Sequence, residues 1–261
     1  MCEPSGLTEA TCAVSFDRSP AYLLGQRGEG FKYMLTLMNN ARLGVGFESI
    51  GLCEAALRLA RAYAAERRSM GKTIDRHEMI ADYLDEMRTD IQGLRAMAMH
   101  ASFYEELGQR TKMAALLGAD EGGLERARLL KQSRQYSRKA RRVTPLLKYL
   151  AAEKAVEMAR RGLQIHGGVG YTKEYGAERL LRDALVMPIY EGTSQIQSLM
   201  AMKDTLGAIM KAPQEFVKRL AQARWRSLSA RDPHERRVAK LQALALDAQQ
   251  HLIRRTATDK L

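Results

Sequence analysis

The sequence predicts an all-α protein: an up-and-down four-helix bundle followed by an extra C-terminal helical hairpin. Three observations carry this expectation. Aromatic residues make up 6% of the 261 residues, while Ala, Leu, Met and Arg abound, a mix suited to helices packed through small and flexible side chains. Apolar residues recur at steps of three and four over long stretches, the period of one helix face. Prolines number only 6, and helix interiors exclude them.

The first helix is expected from about Glu29 to Arg67, with Phe31, Leu35, Met38, Val45, Leu52, Leu59 and Tyr63 on its apolar side. Gly44, Gly46 and Gly51 weaken it intrinsically, so their presence suggests close approach of another backbone or a ligand. Gly71 closes this element. In the second helix Ile80, Leu84, Met87, Ile91, Leu94, Ala98 and Ala101 form a stripe that faces a bundle. Residues 108–123 read as a softer connection, and a basic run then leads to Thr144-Pro145, a cap followed by proline at the first helical position. Tyr149, Ala152, Val156, Ala159 and Leu163 mark the third helix, which stops at Gly167-Gly168. A short helix over about 174–183 precedes the fourth main helix, expected from about Ser194 to Met210. Past Pro213, two amphipathic segments meet at Asp232-Pro233; Phe216, Leu220 and Trp225 mark one, and Leu241, Leu244, Leu246 and Leu252 the other. Three parts are thus expected: 1–28, with a final strand and turn over Cys12 to Leu24; the bundle, 29–210; and a basic helical extension, 211–261.

The net charge of +12 raises nucleic acid and acidic membranes as partners. Residues 211–261 hold 12 Lys or Arg against 5 Asp or Glu, and Lys131 to Arg142 hold six cations and no acid. Neither segment carries an aromatic platform or a nucleic-acid motif, so a solvated face is the favoured reading and no nucleic acid is expected. No apolar stretch is long enough to span a bilayer. Cys2, Cys12 and Cys53 are odd in number and lack metal-ligand spacing, and Met1 is not followed by a signal-peptide pattern; reduced thiols in the cytoplasm are the expectation. His166 has no spaced partner for a metal.

The densest signal is the stretch from Met187 to Gln197, which places Glu191 between Tyr190 and Gly192 where a turn passes into a helix. Thr193 or Ser194 can cap that helix. A carboxylate among apolar side chains is a candidate base, because a carboxylate kept from water holds a proton more tightly. A solvated loop carboxylate near a helix N-terminus is the plainer alternative.

The string Tyr190-Glu191-Gly192-Thr193-Ser194-Gln195-Ile196-Gln197 resembles the active-site signature of the acyl-CoA dehydrogenase family. Three further blocks stand in the family's order: Gln164-Ile165-His166-Gly167-Gly168-Val169-Gly170-Tyr171; Glu66-Arg67-Arg68-Ser69-Met70-Gly71-Lys72, with Met70 at the usual Phe; and Leu24-Gly25-Gln26-Arg27-Gly28-Glu29-Gly30-Phe31, followed by Arg42. The four blocks span about residues 14 to 205. They resemble the family's C-terminal helical domain, without the N-terminal helical domain and most of the middle β-domain that family members carry.

The resemblance implies dehydrogenation across the Cα–Cβ bond of an acyl-CoA thioester, with Glu191 as the base for the α-proton and FAD as the hydride acceptor. Some members carry the base at the position of Ala41, which has no proton chemistry. Arg42 matches a contact to the CoA arm, with an ordinary bundle salt bridge as the other reading. Asn39 stands at the family's usual Asp, and Gly192 is the third substrate-side position. Arg67, Ser69, Gln164, Gly167, Gly168, Thr193 and Gln195 match FAD-contacting positions, and His77 does so in a His-Glu pair where His-Gln is usual. In the family several of these reach the FAD of a partner subunit, which implies a homo-oligomer. The alternative is a non-catalytic helical module, or a subunit that needs a separately encoded partner. The sequence names neither the acyl group nor the electron acceptor.

Overall fold

A computed structural model describes residues 13–118 and 123–258. The chain divides into two compact units, 1–201 and 202–261. The division falls inside the helix expected to close the bundle, rather than at 210.

In the first unit, helix α1 (Gly30–Glu66) leads into a hairpin of β1 (Arg68–Ser69) and β2 (Lys72–Thr73). Met70 and Gly71 make its turn with φ of +49° and +81°, the positive values that two-residue hairpin turns require. Helix α2 (Glu78–Leu117) and helix α3 (Gly123–His166) run back and forth along α1, and the short helix α4 (Ala177–Ala184) packs on α3. Helix α5 (Ser194–Lys211) follows the Glu191 turn and belongs to this unit up to Ala201. The main core joins Ile50, Cys53 and Ala56 of α1, Met87, Ile91, Leu94 and Ala98 of α2, and Leu147, Ala151, Ala155 and Met158 of α3.

Small side chains explain how closely these helices approach. A side chain at Gly46 would start 2.8 Å from Leu147 Cγ, and one at Gly162 would sit 3.5 Å from the Ala56 carbonyl oxygen. Of the expected residues of α1, Val45 is buried, Met38, Leu52 and Tyr63 are partly covered, and Phe31, Leu35 and Leu59 are exposed; Ile50, Cys53, Ala56, Ala60 and Ala64 complete the buried stripe. The expected α2 stripe is buried from Met87 to Ala101, with Ile80 and Leu84 partly covered.

Two expectations fail here. Val14 to Leu24 form no strand, and Phe16, Tyr22, Leu23 and Leu24 are exposed; a lone strand without a neighbour cannot satisfy its backbone. Cys2 and Cys12 lie outside the described residues. The softer connection expected over 108–123 and the basic run after it are helical up to Leu117 and again from Gly123 among the described residues, so α2 and α3 continue past the bundle as a two-helix arm. Ser133 Oγ donates to the Gly108 carbonyl at 2.7 Å, Tyr104 stacks on Tyr136, and Lys139 lies over the Tyr104 ring. Pro145 therefore sits inside α3 rather than at its start. An internal proline costs about 3 kcal/mol, which the long run of helix-favouring Leu, Arg, Lys and Ala offsets.

The second unit holds the end of α5, helix α6 (Pro213–Ser229) and helix α7 (Pro233–Thr258). Phe216, Leu220, Ala223, Ala243 and Leu246 form its core, with Ile209 against it. Asp232 caps α7 through the His234 amide at 3.0 Å. Trp225, Leu241, Leu244 and Leu252, expected on the inner faces, are exposed. Among the described residues no helix is long and apolar enough to cross a membrane.

Candidate active site

The turn between α4 and α5 is built from two residues in left-handed conformations. Glu191 has φ +54° and Gly192 φ +95°; for a non-glycine residue such a backbone is uncommon and costs free energy. Four hydrogen bonds to its two carbonyl oxygens hold it. Arg42 Nε donates to the Glu191 oxygen at 3.2 Å from α1. Gln197 Nε2 donates to the same oxygen at 3.0 Å and to the Gly192 oxygen at 3.4 Å. Lys148 Nζ donates to the Gly192 oxygen at 2.8 Å from α3. Arg42, Lys148 and Gln197 are all buried.

The flanks of the turn are tied to the same two helices. Tyr190 donates its hydroxyl to Glu48 of α1 at 2.5 Å, and Ser194 donates its own to Glu153 of α3. The Ser194 amide closes the turn on the Pro188 carbonyl at 2.9 Å. Thr193 Oγ1 accepts the Ile196 amide at 3.4 Å, a helix cap of the kind its sequence position suggested. Glu191 Oε2 is buried and has no hydrogen-bond partner among the described residues. Burial lowers the pKa of the Lys148 ammonium to about 8, with Arg42 adding to the fall and Glu153 and Glu191 opposing it.

Beside the turn lies a cavity of about 560 Å³ between α1, α2, α3 and α5. Asn40, Gln109, the cations Arg42, Lys112 and Arg141 and one acid, Glu105, give it polar walls, and Met113, Leu116 and Met200 an apolar side. Arg42 therefore touches both the Glu191 backbone and this space. The side chain of Asn39 lies outside the described residues. Gln195 is exposed.

The remaining expected residues gather elsewhere. Arg67 and Ser69 are exposed beside the hairpin after α1, and His77 donates through Nε2 to the Ser69 carbonyl at 3.2 Å, tying the hairpin to α2. Gln164, Gly167 and Gly168 are exposed at the end of α3. Ile74 and Ile165 share one buried cluster, so both groups sit at the same end of the bundle. His166 is buried between them, bonded to the Gly162 carbonyl at 2.7 Å and stacked on Tyr63. From Arg42 to Arg67 along α1 a helical rise of about 1.5 Å per residue gives roughly 37 Å. One chain therefore does not bring Glu191 and Gly168 together.

Sequence reasoning missed Lys148, Gln197 and Glu48. Lys148 was detectable as a lone cation in the apolar run from Leu146 to Ala152, where a lysine needs a buried acceptor.

The family model described as "Acyl-CoA dehydrogenase, C-terminal domain" matches residues 28–119 and 123–206. The chain belongs to the acyl-CoA dehydrogenase family. Among family relatives, an acyl-CoA dehydrogenase of Bacillus subtilis is 34% identical over 200 residues, covering 76% of this chain and 45% of that protein. The 3-methylmercaptopropionyl-CoA dehydrogenase of Ruegeria pomeroyi is 33% identical over 198 residues, covering 72% of this chain and 31% of that one. The structure of butyryl-CoA dehydrogenase from Megasphaera elsdenii superposes with a TM-score of 0.54 at 26% identity, over 70% of this chain and 40% of that one. The chain thus spans less than half the length of these relatives, and what it shares with them is the helical domain.

Proposed function

We propose that this chain is part of an FAD-dependent oxidoreductase that dehydrogenates an acyl-CoA thioester at its Cα–Cβ bond, with Glu191 taking the α-proton. The observation that carries this reading is the buried, partnerless Oε2 of Glu191 on a turn clamped in a left-handed conformation. A side-chain oxygen kept from water with no donor is costly unless a ligand completes it. An α-proton of a bound thioester would occupy that place. The neighbouring cavity, with Lys112, Arg141 and Arg42 on its walls, suits the phosphate-bearing part of CoA, since guanidinium and ammonium groups pair with phosphate. Arg42 then serves mainly the turn, through Glu191, and borders the substrate.

The other group of residues fits a dinucleotide. Gly167 and Gly168 have nothing within 4 Å of where a side chain would begin, so a pyrophosphate can approach their backbone, and Arg67, Ser69 and Gln164 offer exposed donors beside them. When bound, FAD supplies the acceptor for the hydride from the β-carbon. Because Glu191 and Gly168 lie at different ends of one bundle, a complete site takes Arg67, Ser69, Gln164, Gly167 and Gly168 from a second copy, which makes the working form an oligomer. Thr193 and Gln195, next to the base, face the flavin-binding side in this reading.

The test is reconstitution with FAD and an acyl-CoA, followed by flavin bleaching. Glu191→Gln is expected to abolish bleaching while leaving FAD uptake unchanged; bleaching that survives the change removes Glu191 as the base. A protein that takes up no FAD would support a helical module completed by a separately encoded partner.

A further inference from the structure

The ties on the Glu191 turn end on its backbone, although a carboxylate lies beside them. Arg42 Nε and Lys148 Nζ are cationic donors, yet they reach the carbonyl oxygens of Glu191 and Gly192 while Glu191 Oε2 stays without a partner. In a buried volume a cation and a carboxylate ordinarily pair, and pairing weakens the carboxylate as a base. The left-handed backbone prevents this, because it turns two successive carbonyls toward α1 and α3 and lets them take up the cationic donors. Gln197 completes the arrangement from the first turn of α5, bonded to both carbonyls.

We propose that Lys148 and Gln197 are positioning residues for Glu191: by holding the Gly192 and Glu191 carbonyls they keep the turn left-handed and leave its buried Oε2 without a donor. The assignment rests on Glu191 being the base. Lys148 acts from α3, where its side chain is fully buried, so its hydrogen bond ties the turn to the helix that lines the main core. Gln197 acts from within α5 and ties the turn to the start of the helix that follows.

Lys148→Met keeps the side-chain length and removes the donor, and Gln197→Leu does the same for the amide. The reporter is hydrogen exchange at the Ser194 amide, which closes the turn on Pro188; Lys154→Met, on the same helix and outside the site, is the control. Each clamp variant is expected to speed Ser194 exchange by about tenfold or more, as loss of a buried hydrogen bond would, with the α2 amides unchanged. Once the protein is loaded with FAD, kcat for acyl-CoA oxidation is expected to fall with KM little changed. Ser194 exchange equal to that of Lys154→Met, or an acceleration shared equally by α2, overturns the clamp whatever the activity. A loosened Ser194 amide in a protein whose Glu191→Gln variant keeps full activity overturns the base, and with it the positioning role.

Discussion

Gly192→Ala probes the turn most directly. Gly192 has φ +95°, and a side chain there would start 2.5 Å from Gln197 Nε2. Three contributions set the outcome. A non-glycine residue at positive φ costs about 1–2 kcal/mol. Gln197 is fully buried, so moving its amide leaves polar groups unsatisfied, at about 1–3 kcal/mol. The stiffer unfolded chain returns roughly 0.4–1 kcal/mol. The net loss is about 1–4.5 kcal/mol, centred near 3 kcal/mol, which for a unit of this size is a fall in Tm of roughly 6–12 °C. Gly167→Ala is the control, because Gly167 has φ +65° and open space around it; it should cost only about 1 kcal/mol. Circular dichroism melts of the two variants against the parent protein read the difference. Equal, small shifts would refute the packing of Gln197 against Gly192, and with it the account of how the turn is held.

Other outcomes follow from neighbouring features. The Lys148 ammonium is held down to about 8 by burial, so between that pH and its ordinary range the unfolded chain binds the extra proton. Stability is therefore expected to rise with pH through this window, by up to about 3 kcal/mol, and the rise should be missing from Lys148→Met in paired melts. Gly170→Ala places a side chain 2.7 Å from the Leu163 carbonyl oxygen, a backbone atom that cannot yield cheaply, and about 2 kcal/mol or more should be lost by thermal denaturation. Lys112→Ala with Arg141→Ala removes two cations from the cavity beside Arg42; calorimetric titration with CoA is expected to show binding weakened about tenfold or more, and increasingly alike to the parent as salt is raised.

The helices were largely legible because the apolar period of α2 and the punctuation around α4 and α6 are strong. The core of α1 was legible only at Val45, since beyond Ile50 it is a stripe of alanines and one cysteine that buries little area per residue and is overshadowed by the larger Phe31, Leu35 and Leu59, which are exposed. Thr144-Pro145 reads as a helix start by local chemistry, and only the arm packing of Tyr104, Ser133 and Tyr136 overrides it. In the candidate site, Glu191 announced itself through its surrounding string. Lys148 did not, because lysine ordinarily marks a surface and its acceptor lies 44 residues along the chain. Likewise, residues 42 and 67 belong to one helix and its C-terminal cap, but several turns of α1 separate them.

The length of α1 has a genetic consequence. If each reaction centre draws its base from one copy and its pyrophosphate contacts from another, two defective alleles can repair each other. Mixing Glu191→Gln subunits with Arg67→Ala subunits would create some centres with both parts intact, so co-expression would recover activity that neither variant shows alone. Interallelic complementation of this kind would be a direct signature of a site shared across the length of α1.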